Sequence, residues 1–413
     1  MRRGTNIHAL GGFNQSVVLD AVRRTRDGVS RVEIAAQTGL SAQTVSNMAR
    51  RLIDSGIIRE AGQQIVGVGK PRTILKLDPA GHYSVGVHID PAIVTYVVLD
   101  LEGKVVAHSS ARTSSKVSPD LLMAEIRESI DAIIVASGIE ADRVLGIGLA
   151  VPGPIDSKRG MVLDPPLLVG WNGVALRDEL ASSTGKFVLL EKDVTAAAVA
   201  ERWMSHGRER DDFLFFYYGT GVGVGIVVGH EVVRGATNNA GDAGHIVVDP
   251  DGPVCSCGRR GCLGDSVIPR AVVEFAIARG VIDAPDDALD TGLVDERFTE
   301  LAALADAGDP GTSAIFDDVA RRVASAIVTI VSLLDVHTVV LGGPYWGRSA
   351  SYLLARLPAL VNDSPALVST MPVVFTGSAI GNDVAAIGAG CLVLDETLSP
   401  RPSSLRRGLN VPG

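Results

Sequence analysis

One pattern of strands occurs twice in the chain, and it constrains the fold more than any other feature. Short runs rich in β-branched and aromatic residues form VGVHIDPAIVTYVVLDLEGKVVA (residues 85–107) and again FLFFYYGTGVGVGIVVGHEVVRG (residues 213–235). Each copy predicts strand, turn, strand, turn, strand. Elsewhere LLMAEIRESIDAIIVAS predicts a helix, while LGIGLAV and FVLLE predict further strands. The pattern therefore predicts an α/β domain of two related lobes with a cleft between them.

A different module precedes this α/β body. Asn14 is expected to cap a helix that runs through SVVLDAVRRTR, and Ser30 with Glu33 predicts a capping box at the start of VEIAAQT. Gly39 is suited to end that second helix, and Ser41 to cap a third helix, AQTVSNMARRLIDS. Two short helices joined by a glycine-containing turn are typical of a helix-turn-helix motif.

The third helix of this module has one apolar and one polar face. Val45, Met48, Leu52 and Ile53 fall at core-facing spacing. In such motifs the N-terminal end of the helix meets base edges, so the candidate DNA-contacting residues are those on or beside the polar face: Ser41, Gln43, Thr44, Ser46, Asn47 and Arg50. The alternative interpretation is a solvated polar face on an ordinary helical domain.

The segment AGQQIVGVGKPRTILKLD predicts a two-stranded wing whose tip carries Lys70 and Arg72. These side chains could reach DNA phosphates or a minor groove, although a hairpin exposed only for solubility fits equally well. Charge favours DNA: residues 1–77 contain 12 Lys/Arg and 5 Asp/Glu, whereas the rest of the chain contains 26 and 42. A basic module on an acidic body is typical of a nucleic-acid-binding end. We therefore predict a winged helix-turn-helix over residues 1–78.

Three of the four cysteines lie in one short stretch, CSCGRRGC. With His245, they give the spacing H-x9-C-x-C-x4-C through Cys255, Cys257 and Cys262. Three thiolates and one imidazole are the ligands of a closed tetrahedral zinc site, which predicts one structural zinc per chain. Buried cysteines without a metal are the alternative.

These residues carry a resemblance that covers nearly everything from Asn14 to about Leu394. The chain resembles the ROK family (repressors, open reading frames and kinases), in its regulator branch with an N-terminal winged helix. The matching stretches are TGLSAQTVSNMARRLIDSGII with GKPRTILKL, GLAVPGPID, GWNGVALRDEL, EKDVTAAAVAE, YYGTGVGVGIV, AGDAGHIVV, CSCGRRGCL and VVLGGP. The resemblance implies an actin-like ATPase fold, with a first lobe over residues 79–190 completed by a C-terminal helix at about 379–396. A second lobe with the zinc site then covers residues 191–378.

The kinase chemistry of that family is only partly matched. Asp193 matches the family's catalytic base, and the second-lobe phosphate loop is matched by Gly219, Thr220, Gly221, Gly223 and Gly225. The first-lobe phosphate loop, D-x-G-G-T in the kinases, is read at Asp90–Val94, where Pro91 lacks an N–H and the next two residues add β-carbons. We therefore predict a protein that is not an enzyme, with Asp193 as a vestigial base.

The sugar pocket that the resemblance implies is also altered. Positions that hold Asn or Glu in the family are Leu167, Lys192, Asp242 and Gly264 here, with Asp265 next to the last. The resemblance places a ligand site at Trp171, Lys192, Asp193, Asp242, His245 and Asp265. Lys192 has two interpretations: it recruits an anionic ligand such as a phosphorylated or acidic sugar, or it pairs with Asp193 or Asp242 in a vestigial pocket.

Together these features predict a DNA-binding transcriptional regulator of carbohydrate-related genes, most simply a repressor. The expected partners are a double-stranded operator, a sugar or sugar-derived effector, and a second copy of the chain. The second copy is expected because helix-turn-helix proteins usually bind palindromic sites as two-fold dimers. The alternatives are an ATP-dependent sugar kinase with a DNA-binding arm and an adaptor without a small ligand. The sequence predicts no signal peptide or membrane span and a cytoplasmic location. Residues 397–413 are expected to be disordered.

Overall fold

The computed structural model describes residues 7–25, 27–64, 71–112, 118–163, 165, 170–204, 212–285 and 288–398. The described residues up to Leu77 form a small module of three helices and three strands: α1 (Ile7–Arg23), β1 (Val29–Ser30), α2 (Arg31–Thr38), α3 (Ala42–Asp54), β2 (Ile58–Gln64) and β3 (Arg72–Leu77). The strands form an antiparallel sheet in the order β1-β3-β2. The helix-turn-helix and the two wing strands expected from the sequence are thus present.

Local hydrogen bonds explain where the second and third helices of this module begin. The Ser30 hydroxyl accepts the Glu33 N–H at 3.3 Å, and the Glu33 carboxylate accepts the Ser30 N–H at 2.8 Å, which is a complete capping box. Gly39 then ends α2 in the left-handed region at φ 69°. The Ser41 hydroxyl accepts the Thr44 N–H at 3.2 Å and starts α3.

The expected cap at Asn14 is wrong, because α1 begins at Ile7 and Asn14 lies inside the helix. The apolar spacing that marks the helix after Asn14 continues before it through Ile7, Leu10 and Phe13. Asparagine favours caps, but a continuous apolar stripe outweighs that weak preference.

The first lobe of the body is built on a five-stranded sheet in the order β10-β7-β4-β5-β6. β4, β5 and β6 form an antiparallel meander, and β7 and β10 are parallel to β4. Its elements are β4 (Tyr83–Ile89), β5 (Ile93–Asp100), β6 (Val105–Arg112), α4 (Pro119–Ala136), a 3₁₀ turn (Ala141–Arg143), β7 (Val144–Val151), β8 (Ile155–Asp156), β9 (Met161–Val162), α5 (Leu176–Thr184) and β10 (Val188–Lys192).

The second lobe repeats this topology in the order β13-β12-β11-β14-β15. Again three antiparallel strands are followed by two strands parallel to the first of them. The elements are α6 (Asp193–Met204), β11 (Phe213–Tyr218), β12 (Val222–Val228), β13 (Glu231–Val232), α7 (Leu263–Val267), α8 (Pro269–Ala278), α9 (Thr291–Asp306), α10 (Pro310–Leu334), β14 (Thr338–Gly342), α11 (Trp346–Leu354), α12 (Leu357–Asn362), β15 (Val374–Gly377) and α13 (Val384–Leu398). The predicted pair of related α/β lobes is confirmed.

Helix α13 lies between the two sheets. It packs on β4 and β7 of the first lobe and on α6 at the start of the second. Gly86 and Gly148 permit this approach, because a Cβ at either residue would collide with the backbone of α13. The C-terminal helix therefore completes the first lobe as expected, although it begins at Val384 rather than at about residue 379. The proposed lobe boundary at residue 191 also falls inside β10, so Lys192 belongs to the first sheet.

The N-terminal helix-turn-helix module is docked on the body rather than tethered to it. The Arg23 guanidinium at the end of α1 lies 4.2 Å from the ring centroid of Trp203 at the end of α6. The His82 ring lies 2.9 Å from the Ser55 carbonyl, and the Asp78 N–H donates to the Ile57 carbonyl at 3.0 Å. Val18, Leu19 and Val22 of α1 lie in one apolar cluster with residues of α6 and α13. The orientation of the module is thus set by contacts with α6.

We expect Arg23→Ala to loosen this docking. The substitution removes a mostly buried cation from the face of Trp203, a contact worth about 1–2 kcal/mol when it is shielded from water. Hydrogen exchange of the α1 amides should accelerate roughly tenfold. Arg24→Ala is the matched control, because Arg24 pairs with the same Asp20 but is exposed. Equal exchange in the two variants would contradict a docking role for the Arg23–Trp203 contact.

Candidate functional site

The exposed face of α3 carries the residues expected to read DNA. Ser41, Gln43, Asn47 and Arg50 are exposed, while Val45, Met48, Ala49 and Leu52 are buried. The Gln43 amide donates to the Asn47 amide oxygen at 3.1 Å, one helical turn away. Thr44 and Ser46 are partly exposed beside them, and the Thr44 hydroxyl lies 2.9 Å from that of Ser41. Donors and acceptors able to pair with base edges thus cover one helix face.

Of the two predicted wing residues, the structure describes only Arg72. Lys70 lies outside the described residues. Arg72 stands at the start of β3, paired across the sheet with Gln64, and its guanidinium lies 3.7 Å from the Glu33 carboxylate of α2. Two hydrogen bonds from Ser30 hold the pKa of Glu33 below its usual value, so this carboxylate is charged at neutral pH. Arg72 therefore braces the wing against α2, and only the rest of its donors are available to DNA.

The four predicted metal ligands converge on one point. Nδ1 or Nε2 of His245 and the three sulfurs lie within 4.8 Å of one another. The Cys255 Sγ is 3.4 Å from His245 Nδ1, and the Cys257 and Cys262 Sγ atoms are 3.6 Å apart. A tetrahedral zinc with Zn–S bonds of about 2.3 Å needs sulfurs about 3.8 Å apart. The residues present therefore fit zinc, which His245 would bind through Nδ1, the nitrogen nearest the Cys255 sulfur.

Backbone geometry explains why this stretch forms a cluster. The turn reverses at Gly258 and Gly261, both at positive φ, and a Cβ at Gly261 would collide with the Asp249 carbonyl. Asp249 is held in turn by Arg322 of α10 at 2.7 Å. The Leu263 N–H donates to the Ile246 carbonyl at 2.8 Å. A metal here would bind two segments of the second lobe together.

The turn after β4 is shaped by the Asp90 carboxylate. One carboxylate oxygen accepts the Ala92 N–H at 2.8 Å, and the other accepts the Thr220 hydroxyl at 2.7 Å from the glycine-rich turn of the second lobe. The Asp90 N–H donates to the Ile93 carbonyl at 3.1 Å. The N–H groups of Asp90 and Ala92 are therefore already used inside the turn, and a buried carboxylate joins the two loops that would flank a phosphate.

Beside this bridge lies a cleft of about 620 Å³ between the lobes. Its floor includes the buried side chains of His88, Asp90 and Thr95. Within the part of the chain that the structure describes, His88 Nε2 has no hydrogen-bond partner. The walls carry an ion pair between Arg348 and Asp295, and the His108 Nε2 lies 3.1 Å from the Asp383 carboxylate. The cleft thus lies beside the altered first-lobe loop at Asp90, and four of the side chains that line it contact one another in pairs.

The Asp90–Thr220 hydrogen bond should hold the lobes together. Thr220→Val removes the donor and leaves a buried carboxylate one partner short, which should cost about 1–3 kcal/mol of unfolding free energy. Urea denaturation of the full chain measures this cost. Thr291→Val, in the wall of the same cleft, is the control and should change stability by less than about 0.5 kcal/mol. Identical midpoints for the two variants would show that the bridge contributes nothing.

Asp193 is the first residue of α6 and directly follows Lys192, the last residue of β10, where the chain passes from the first lobe to the second. Its carboxylate accepts the Val194 N–H at 2.7 Å at the helix N-terminus. Burial raises the pKa of Asp193, opposed by the nearby His88, the Val194 N–H and Lys192. Burial raises the pKa of the Tyr217 phenol, and the charges of Asp193 and Asp90 raise it further. The Tyr217 hydroxyl is buried and has no hydrogen-bond partner within the described ranges. Asp193 is thus a buried carboxylate at the N-terminus of α6.

Lys192 does not form the ion pair that was one of its two interpretations. Its side chain is only 5% exposed, and no carboxylate of the described residues lies within 4 Å of its ammonium. The contact found is to the Asn239 carbonyl at 3.4 Å. The neighbouring Glu191 is instead paired with Arg234 at 2.6 Å. Neither Asp193 nor Asp242 therefore forms a salt bridge with Lys192, although the charge of Lys192 lowers the pKa of Asp193.

The remaining predicted ligand residues are distributed unevenly. Trp171 is 2% exposed and packs in the first-lobe core, so it shapes the lobe and offers little surface to a ligand. Asp242 and His245 are exposed on the loop that precedes the cysteines, and the Gly264 N–H donates to the Gly244 carbonyl at 2.8 Å, which places Asp265 beside that loop. Leu167 lies outside the described residues.

Sequence reasoning missed Asn239. Its side-chain amide accepts a hydrogen bond from the Ile155 N–H and donates one to the Ile155 carbonyl, both at 2.8 Å. These two bonds connect the second lobe to the first. Nothing in its local pattern distinguishes it from the asparagine before it, because its partner is 84 residues away. The Glu191–Arg234 pair was missed for the same reason.

Comparison with known proteins bears on this architecture. The ROK family profile matches residues 84–396, and the profile described as winged helix-turn-helix DNA-binding matches residues 18–59. The xylose repressor of Bacillus subtilis is 23% identical over 93% of this chain and 96% of its own length. The glucokinase of Thermotoga maritima is 29% identical over 75% of this chain and 96% of its own length. A solved ROK family transcriptional regulator, homologous to the Escherichia coli MLC protein, superposes with a TM-score of 0.77 at 22% identity, covering 97% of this chain and 99% of that one.

A winged DNA-binding module fused to a two-lobed, sugar-kinase-like body defines a class of regulator. The chain belongs to the ROK family, and the predicted fold is confirmed. Because the DNA-binding profile matches as well, it is a DNA-binding transcriptional regulator of that family. Among the described residues, no helix is both long and apolar enough to cross a membrane.

Proposed function

We propose that the protein is a repressor of carbohydrate-related genes that acts in the cytoplasm, binds a two-fold operator as a homodimer, and senses a sugar-derived effector between its lobes. The observation that carries this proposal is α3, a capped helix with its polar face exposed on a basic module. Base contacts come from Ser41, Gln43, Thr44, Ser46, Asn47 and Arg50, and phosphate contacts from Lys70 and the free donors of Arg72. Relatives named for xylose repression support the carbohydrate assignment.

The body in this proposal senses and does not phosphorylate. Phosphoryl transfer depends on backbone N–H groups and cations that cradle the phosphates. Here Pro91 has no N–H, the N–H groups beside it are used within the turn, and the Asp90 carboxylate places negative charge against the glycine loop. Coulomb repulsion in this partly buried cleft would oppose a triphosphate.

Zinc in this proposal is a structural cofactor held by His245, Cys255, Cys257 and Cys262. With all four positions taken by protein ligands, it supplies rigidity and leaves no coordination site for water. His245 offers only one ring nitrogen to the metal, so the other remains available to a ligand at the lobe junction.

Helix α6 is the proposed route from effector to DNA. It begins at Asp193 in the ligand site and carries Trp203 in its last turn, where Arg23 of the N-terminal module stacks on the Trp203 ring. Arg202 at the same end pairs with Asp395 of α13 at 3.0 Å. A small change in the angle of α6 at the lobe junction therefore moves the surface on which the reader rests. In a dimer, such a change alters the spacing of two recognition helices.

The decisive test selects bound fragments from random DNA with the full chain. We expect an enriched inverted repeat with half-sites one or more helical turns apart, about 34–36 Å for one turn. Light scattering of the complex should give two chains per operator. Recovery of no enriched sequence would refute the DNA-reader proposal.

The kinase alternative has relatives in its favour and a separate test. The full chain is incubated with ATP, magnesium and glucose or xylose, and ADP release is followed. We expect no sugar-dependent turnover above background. Sugar-dependent turnover that disappears in Asp193→Ala would instead establish an active kinase with a DNA-binding arm.

A further inference from the structure

We propose that the ligand site takes a monosaccharide that carries an anionic group, and that Lys192 is the residue that selects it. This inference rests on the proposed sugar-sensing function and specifies the chemical class of the effector. It starts from one anomaly, an ammonium group that is buried in the lobe junction and has no salt-bridge partner among the residues that the structure describes.

The burial of Lys192 is unusual for its chemistry. Lysine is almost never fully buried unless it is paired, because removing an ammonium from water is costly. Lys192 is 5% exposed, yet the one acceptor that it contacts among the described residues is the neutral Asn239 carbonyl at 3.4 Å. An ammonium has three N–H donors, so at least two remain for a ligand.

The nearby carboxylates are occupied elsewhere or too far away. Glu191 lies next in the strand, but one of its oxygens accepts from Arg234 at 2.6 Å and the other from the Lys192 backbone N–H at 3.2 Å. Asp193 accepts the Val194 N–H and, like Asp242, does not come within 4 Å of the ammonium. The positive charge of Lys192 is therefore available to an incoming anion.

The position of Lys192 suits an effector that must act on both lobes. Lys192 ends β10 in the first-lobe sheet, and its side chain crosses Gly153, where a Cβ would lie 2.7 Å from the Lys192 Cε. Its ammonium points toward Asn239 of the second lobe, whose side chain clasps Ile155 of the first. An anion bound to Lys192 therefore lies where the two lobes meet.

The adjacent Asp193 makes a bare anion a poor ligand. Its carboxylate would repel an anion that brings no hydrogen-bond donor, whereas a sugar hydroxyl donates to a carboxylate. A monosaccharide with a carboxylate or a phosphate satisfies both side chains at once. Charge-assisted hydrogen bonds are roughly twice as strong as neutral ones, so the anionic group should dominate the selection.

Isothermal titration calorimetry of the full chain tests this class. The probes are D-glucose, D-xylose, D-glucuronate, D-galacturonate, D-glucose 6-phosphate and inorganic phosphate, each at up to about 10 mM because weaker affinities lie beyond the useful range. We expect at least one anionic sugar to bind at least tenfold more tightly than every neutral sugar and than phosphate. The uronates and the hexose phosphate then distinguish a carboxylate from a phosphate ligand.

Lys192→Met should remove at least nine-tenths of the affinity for the anionic sugar, and Lys192→Arg should retain part of it. Lys186→Met is the matched control, because Lys186 precedes the same strand and its ammonium is exposed on the surface, bound to the Ala141 carbonyl. Without ligand, Lys192→Met should unfold at a higher temperature than the wild type, since it removes an unpaired buried charge.

Three results would overturn the inference. They are no measurable binding of any anionic sugar, binding of phosphate as tight as that of any sugar, and a ligand-free Lys192→Met variant that is less stable than the wild type. Operator binding by the same variants is measured separately. A Lys192→Met protein that binds operator normally but ignores the anionic sugar supports the inference. A wild-type protein that binds no operator would instead contradict the proposed DNA-binding function and would leave the effector measurement unaffected.

Discussion

Cys262→Ser is expected to release the zinc and to cost more stability than any other single substitution considered for this chain. Cys262 is fully buried, and its Sγ lies 3.6 Å from that of Cys257. Serine is a poor zinc ligand, and structural zinc contributes about 10 kcal/mol or more of binding free energy in small zinc domains, part of which is folding free energy. Metal analysis should find about one zinc per wild-type chain and almost none in the variant.

The damage should be confined to the body. The cluster lies on the second lobe, whereas the core of the reader module is formed by residues of α1, α2, α3 and the wing strands with α6 and α13. We therefore expect a melting temperature lower by about 10 °C or more, with the effector response lost first. Non-specific DNA binding should persist below that temperature.

Cys391→Ala is the matched control for Cys262→Ser. Cys391 is equally buried but lies in α13, away from the cluster, and burial raises the pKa of its thiol so that it stays neutral. This control should keep its zinc and lose only about 1–2 kcal/mol. A Cys262→Ser protein that still carries one zinc per chain would show that the metal is held elsewhere.

Sequence reasoning succeeded where the relevant interactions are local. The Ser30–Glu33 capping box, the left-handed Gly39 and the Ser41 cap each depend on residues within one helical turn, so their types and spacing suffice. The repeated strand pattern likewise predicted two lobes, because strand order follows from short connections. The convergence of His245 with the three cysteines could also be predicted, because Cys and His at short spacing have few other uses.

It failed where long-range contacts decide. The contacts of Lys192 depend on residues from the other lobe, because Asn239 accepts from its ammonium and Arg234 pairs with the carboxylate of the neighbouring Glu191. Asp90 was read as part of a spoiled phosphate loop, but its bond to Thr220, 130 residues away, could not be anticipated. Sequence shows which groups are present; only the fold shows which of them already have partners.

The second large effect is expected on DNA recognition. Gln43→Ala with Asn47→Ala removes two amide side chains from the exposed face of α3, where they hydrogen-bond to each other at 3.1 Å in the free protein. Each bidentate amide–base contact is worth about 1–3 kcal/mol of discrimination. The double variant should therefore bind the selected operator about 30-fold or more weakly, as measured by fluorescence anisotropy at fixed salt.

The pattern of loss distinguishes base reading from general damage. Affinity for scrambled DNA should stay within about twofold of the wild type, because phosphate contacts by the basic module are unchanged. Gln37→Ala is the matched control: Gln37 is exposed on α2, one helix earlier, and its loss should leave the ratio of operator to scrambled affinity intact. Since Val45 and Leu52 hold α3 from its buried face, neither variant should unfold the module. A double variant that loses operator and scrambled DNA equally would mean that these amides stabilise the helix and do not read bases.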